Sequence, residues 1–213
     1  MCNLYSVTKG QQAILQLTRA LIDRTGNLPP LPGIFPDDAA PVVRETPEGR
    51  ELLMMRWGMP GPKAFGEKPC TNIRNVASPH WRAWLKPDHR CLVPATSFCE
   101  YEDTQPRKTP VWFATGQDRP LFAFAGLWRR WYGQRRKAEE PQEHLLFSFL
   151  TTDANAEVGA IHPKAMPVIL RTPEEMEAWL AAPAQEVAAL QKPLPDGSLA
   201  VVARGERQDG LAA

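Results

Sequence analysis

The spacing of hydrophobic and polar positions along this chain predicts many short strands and few helices. Thr8 and Gln11 form a capping-box pattern, and Ile14, Leu17 and Leu21 then recur at helical spacing, which predicts a first helix ending near Gly26. The proline-rich stretch Pro29–Pro41 reads as extended loop. Glu51–Trp57 (ELLMMRW) reads as a strand stopped by Gly58, Pro60, Gly61 and Pro62. Ser78-Pro79 is an N-cap and N1 pair for a short helix carrying Trp81, Arg82, Trp84 and Leu85. Short apolar runs separated by turn residues follow at Arg90–Pro94, Ser97–Tyr101, Val111–Ala114, Leu121–Trp128 and Leu145–Thr151. Asp153 is placed to cap a helical turn reaching Ala160, and Val168–Arg171 reads as a strand. Thr172-Pro173-Glu174-Glu175 then starts a helix bearing Met176, Trp179 and Leu180. Leu199–Val202 is the expected last strand, and residues 204–213 read as a flexible tail. Strands outnumber helices without alternating with them, which argues against a doubly wound sheet. The expectation is an α+β fold in one domain spanning 1–213, with a mixed, largely antiparallel sheet or barrel-like β core and peripheral helices.

Composition narrows the functional classes. The 213 residues carry a formal net charge of +1, so any affinity for a polyanion must come from a local patch. The 22 prolines, about twice average usage, fit a fold of many turns. Cys2, Cys70, Cys91 and Cys99 form no CxxC pair and no ordered spacing with the histidines, which argues against a zinc site. Cys91 and Cys99 lie in apolar runs and are expected to be buried, as in a reducing, cytoplasmic compartment. The first residues lack the pattern of a signal peptide, and no apolar run approaches a membrane span.

The chemistry begins at Cys2. Removal of Met1 would give a terminal cysteine whose α-amine and thiol sit on adjacent carbons, a pair that converts an aldehyde into a thiazolidine. An α-amine of pKa about 7.7–8 is far more available as free base at neutral pH than a lysine of pKa about 10.4. In RCLVPATSFCEY, strand alternation puts Phe98 and Glu100 on one side and Cys99 and Tyr101 on the other. A carboxylate sharing an apolar face is pushed towards general-acid range. His162, between a short helix and an apolar strand, is a candidate proton shuttle. Asn72 and Arg74, two apart, can present an amide and a phosphate-gripping guanidinium from one face. The cluster WRRWYGQRRK at Trp128–Lys137 interleaves cations with aromatics, a pattern that suits nucleic acid. Each feature read alone also fits an ordinary structural role, and the acidic Glu139, Glu140 and Glu143 follow the cluster.

Together the pieces resemble one family, the SOS-response-associated peptidases, abasic site processing proteins of the DNA damage response. The likeness runs through Met1-Cys2, Trp57–Pro60, Asn72–Arg74, RCLVPATSFCEY, Phe124–Trp128 (FAGLW), Thr151–Asn155 (TTDAN) and His162 ahead of Met166–Leu170 (MPVIL). The resemblance implies that Cys2 captures the aldehyde of an abasic site in single-stranded DNA as a covalent thiazolidine, with Asn72, Glu100 and His162 as catalytic partners. It further implies DNA contacts from Arg74, Arg82, Tyr101, Thr151 and Lys164, no metal or other cofactor, and peptidase-type removal of whatever precedes Cys2. A monomer in the cytoplasm, associated with DNA and replication-fork proteins, is expected. Three departures stand out. Leu4 replaces a common Arg, Tyr101 replaces a common Trp, and the segment from His162 to Met166 is one residue longer than usual. Two rivals remain open on residues alone, an N-terminal-nucleophile cysteine hydrolase and a non-covalent single-stranded DNA binder.

Overall fold

The computed structural model describes residues 2–63 and 68–209. In chain order the elements are β1 (Tyr5–Val7), α1 (Gln11–Thr18), β2 (Ile22–Asp23), β3 (Leu31–Ile34), β4 (Ala39–Arg44), β5 (Glu51–Trp57), β6 (Met59–Pro60), β7 (Pro69–Cys70) and β8 (Asn72–Ile73). There follow β9 (Arg90–Ala95), β10 (Ser97–Glu102), β11 (Thr109–Ala114), β12 (Phe122–Gly133), β13 (Gln142–Thr152), α2 (Ala156–Gly159), β14 (Met166–Pro167) and β15 (Ile169–Leu170). The last are α3 (Pro173–Ala181), α4 (Val187–Leu190) and β16 (Ala200–Arg204).

Strands β13, β12, β9, β4 and β5 are neighbours in that order, and a parallel pairing of β13 with β5 closes them into a barrel. A second sheet, ordered β16-β11-β10-β1-β3, packs beside it. The expected α+β class with a barrel-like β core is what the chain adopts. Tyr5 links the two layers. Its ring, fully buried on β1, meets Trp57, Phe124 and Phe149 of the barrel edge-on at 5.1, 5.5 and 6.0 Å. Such aromatic contacts add to area burial and fix orientation. They therefore fix the path of Cys2, three residues upstream.

Several expectations give way to specific competing bonds. Helix α1 starts after Gly10 rather than at Thr8, because the Thr8 N–H and hydroxyl both meet the hydroxyl of Thr96, in the connection between β9 and β10, at 3.3 Å. It ends at Thr18, where Arg19 turns left-handed (φ 54°), well before Gly26. The Pro29–Pro41 stretch is not loop but contains β3 and the start of β4. Pro32 lies on an edge strand, and Pro41 lies where β4 has not yet met β9, so neither removes a ladder bond on both sides. Beyond Ser78-Pro79 the chain forms only a 3₁₀ turn over Arg82–Trp84. The cap of α2 is Asn155, which accepts from the Val158 N–H, and Asp153 turns elsewhere. The capping box of α3, Thr172 with Glu175, is formed as read.

The segment after β16 is anchored, not free, through its described part. The Glu206 carbonyl accepts from the Trp112 indole at 2.8 Å, and the Asp209 N–H donates to Pro32. The Asp209 carboxylate, 3% exposed, accepts from Arg119 at 2.6 and 2.8 Å and from the Ser97 hydroxyl at 2.6 Å. Residues 210–213 lie outside the described residues, as do Met1 and 64–67. Among the described residues no helix is long and apolar enough to cross a membrane.

Candidate active site

Four segments converge where β1 and β10 meet the barrel. Cys2 enters ahead of β1 and is 1% exposed, its thiol directed at the Leu4 carbonyl, 3.5 Å away. Burial pushes that thiol well above its ordinary pKa, and the nearby Glu100 carboxylate adds to the effect. The pair is thus built to hold a neutral thiol.

Asn72 lies on β8, which pairs in parallel with β13 so that Asn72 stands opposite Phe149. Its amide Nδ2 donates to the Cys2 carbonyl and to the Thr71 hydroxyl, both at 2.8 Å. That bond fixes the peptide immediately after the Cys2 side chain. The Asn72 Oδ1 is buried without a hydrogen-bond partner among the described residues. Buried acceptors of this kind are rare and costly unless a ligand completes them.

Glu100 confirms the alternation read from the sequence. Phe98 belongs to the main core, while Cys99 joins Leu4 and Trp112 on the other side of β10. Glu100 is 2% exposed, and burial raises its carboxyl to about 7. His162 follows α2, its N–H held by the Val158 carbonyl at 2.7 Å, and its Nε2 stands 4.0 Å from Glu100 Oε2. Burial lowers the imidazole pKa, helped by the charges of Lys164 and Lys108, so the ring is neutral at pH 7. A carboxyl poised near neutrality beside a neutral imidazole can exchange protons in either direction.

The other expected contacts are placed less uniformly. Lys164 is exposed and close enough for its charge to reach His162. Arg74 is half-exposed but pairs with Asp153, while its carbonyl is gripped by Gln191 Nε2 at 2.6 Å. Arg82 is exposed on the 3₁₀ turn. Thr151 is buried at 1% exposure, and its carbonyl accepts from the same Gln191 amide at 2.7 Å. Tyr101 lies on the opposite side of β10 from Glu100. Thr71 and Gln191 were not singled out in the sequence, and Asp153 was expected as a helix cap rather than as the partner of Arg74. Three arginines of the basic cluster are held in ion pairs. Arg135 and Arg136 both bind Asp37, and Arg130 pairs with Glu143.

This geometry accompanies a clear family match. The SOS response associated peptidase (SRAP) family matches residues 1–204. The chain belongs to the SRAP family. Among curated relatives it is 34% identical over 137 residues to the abasic site processing protein YoqW of Bacillus subtilis, covering 61% of this chain and 57% of that protein. It is 29% identical over 163 residues to the abasic site processing protein YoaM of the same organism, covering 73% and 67%. The chain thus spans rather less than three fifths of the length of YoqW. Among solved structures, a protein from Bordetella bronchiseptica superposes with a TM-score of 0.73 at 24% identity, over 99% of this chain and all of that one. A protein from Bacteroides thetaiotaomicron gives 0.69 at 24% identity over 93% and 90%. These two likenesses show that the fold is shared with those proteins.

Proposed function

We propose that this SRAP protein handles abasic sites in single-stranded DNA by capturing them covalently on Cys2. The observation that carries the reading is the bond from Asn72 to the Cys2 carbonyl beside the buried Glu100 and His162. Once Met1 is hydrolysed away, the Cys2 α-amine attacks the C1′ aldehyde of the ring-opened deoxyribose to give a carbinolamine. Loss of water gives the imine, and addition of the thiol closes the thiazolidine, its proton passing to the ring nitrogen. The sum is aldehyde plus aminothiol to thiazolidine plus water.

Each neighbour has a task in that sequence. Glu100, as the neutral acid, protonates the leaving hydroxyl and then takes the thiol proton, which its pKa of about 7 permits in both directions. His162, neutral at pH 7, relays a proton at the sugar. Asn72 orients Cys2 through its amide N–H and offers its open Oδ1 to a sugar hydroxyl or the protonated amine. Arg74 and Lys164 supply charge for phosphates, and Arg74 must exchange Asp153 for one. The names of YoqW and YoaM, abasic site processing proteins, support the substrate class.

The test is a denaturing gel of protein whose free Cys2 terminus has been verified by mass spectrometry. It is mixed with a single-stranded oligonucleotide bearing one abasic site, beside Cys2→Ala and a sample with only the α-amine blocked. A heat-stable shifted band is expected for the unmodified protein alone. A band that survives amine blocking would point to thiol chemistry of the hydrolase type, and no band in any lane would leave a non-covalent binder.

A further inference from the structure

The strand end that carries Glu100 has a second face. Tyr101 points away from Glu100, and with Pro110 and Gly205 it floors an open cleft of about 480 Å³ rimmed by Arg107, Lys108 and Arg207. Three cations gathered in one cleft repel one another. Little nearby offsets them. Asp103 reaches Lys108 at 3.6 Å, Glu102 is held by Arg204, and neither Arg107 nor Arg207 forms an ion pair among the described residues. The hairpin arginines, Arg135 and Arg136, by contrast both bind Asp37.

Arg207 is held in place deliberately. On one side of it the Glu206 carbonyl is pinned to the Trp112 indole, and on the other Asp209 is bound by Arg119, Ser97 and the Pro32 carbonyl. The Arg207 backbone itself packs over Gly33, where an added Cβ would lie 3.5 Å from its carbonyl oxygen. Glu206, Arg207 and Asp209 lie beyond residue 204, where the family match ends, and their partners lie within it.

We propose that this cleft is a phosphate-binding subsite for the DNA strand outside the lesion pocket, with Arg107, Lys108 and Arg207 holding one backbone phosphate and the Tyr101 ring supporting the adjoining base. Guanidinium forks suit phosphate oxygens, and an aromatic face at 37% exposure suits a base of any identity. The cleft also belongs to the same electrostatic neighbourhood as the pocket, since Lys108 acts on His162. The proposal rests on the abasic-DNA reading above, and its test separates the two.

The probe is an undamaged single-stranded oligonucleotide long enough to cross the cleft, bound at several salt concentrations by wild type and by the double variant Arg107→Ala/Arg207→Ala. Affinity should fall about five- to tenfold, and the slope of log affinity against log salt should shrink by about 0.7 for the lost phosphate. Both side chains are exposed, so melting should be unchanged, and Arg107→Lys/Arg207→Lys should restore most of the affinity. On a short abasic oligonucleotide confined to the lesion pocket, wild type and double variant should crosslink at the same rate. Failure of wild type to crosslink would strike the abasic reading. Equal affinity and equal salt slope for the double variant would overturn the subsite alone. Inorganic phosphate binding to wild type but not to the variant, with DNA affinity unchanged, would make it a free-phosphate site and overturn it too.

Discussion

Asp37 and Glu100 are both carboxylates drawn out of water, yet one sits near pKa 2 and the other near 7. For Asp37, burial alone would raise the pKa, but hydrogen bonds from Arg56, Arg135 and Arg136 outweigh it. Asp37 also occupies the left-handed region (φ 75°) at the turn between β3 and β4, a conformation that Asp tolerates better than most residues. Its guanidinium partners tie that turn to β5 and to the distant hairpin. Glu100 is more deeply buried and is left near the point where it gains and loses a proton with equal ease. The lesson is that burial of an acid does not itself mark chemistry. Several guanidiniums on one carboxylate hold it ionised as a structural joint, whereas burial that dominates leaves a carboxyl able to change protonation near neutral pH.

The largest expected effect comes from removing the charge of Glu100. Glu100→Gln should slow crosslinking of an abasic oligonucleotide by about 10²-fold or more, since it removes an acid and a base together. The same change should stabilise the fold. A carboxyl whose folded pKa is raised from 4.5 to about 7 holds its proton in the folded state but not in the unfolded one between those values. Stability is therefore lost as pH rises from about 4.5 to 7 and stays lost above. Glu100→Gln should recover on the order of 1–3 kcal/mol at pH 8 and nothing at pH 4. Chemical melts at the two pH values decide this, and a variant equally stable relative to wild type at both would refute the assignment.

Asp37→Asn should give the reverse pattern. The side chain keeps its shape and its tolerance of positive φ, but Arg135, with a side chain only 4% exposed, loses its anion. A loss of about 2–4 kcal/mol is expected from that stranded charge. Crosslinking below the melting temperature should be unaffected. In wild type, the contribution of Asp37 is present above its unfolded pKa near 3.8 and fades as pH falls towards 2. The Asn variant should therefore melt like wild type near pH 2 and diverge from it above about pH 4. A slowed crosslinking rate in this variant would break the contrast, because it would couple the joint to the pocket.

The contrast also explains what the sequence could and could not reveal. The convergence of Cys2, Glu100 and His162 could be anticipated from local facts: a terminal position, strand alternation and a loop between two elements. Asn72 was legible from its short motif. The ion-pair joint was not, because Asp37 and Arg135 stand 98 positions apart and meet only when the barrel closes. For the same reason Trp128–Lys137 read as a basic patch: Glu143, the partner of Arg130, follows it closely, but Asp37, the partner of Arg135 and Arg136, lies far upstream. Arg74 looked like a free phosphate grip, with nothing to signal Asp153 opposite it or Gln191, 117 positions on, beneath it. The tail read as free because Asp209 finds Arg119 and Ser97 only in three dimensions. In each case pattern gave the element or the residue type, and long-range partners decided what the charge was for.

The smallest expected effect tests that last point. Arg130 and Glu143 are diagonal neighbours on β12 and β13, joined at 2.8 Å, and both side chains are about 60% exposed. An exposed pair of this kind contributes less than about 1 kcal/mol, so Arg130→Ala should leave the melting temperature almost unmoved. It should also leave the salt slope of single-stranded DNA binding unchanged, because a guanidinium already paired with Glu143 releases no counterion when DNA arrives. A change in that slope would return the hairpin to the DNA-binding surface. It would then be the hairpin, and not the cleft around Arg207, that supplies the cations beyond the pocket.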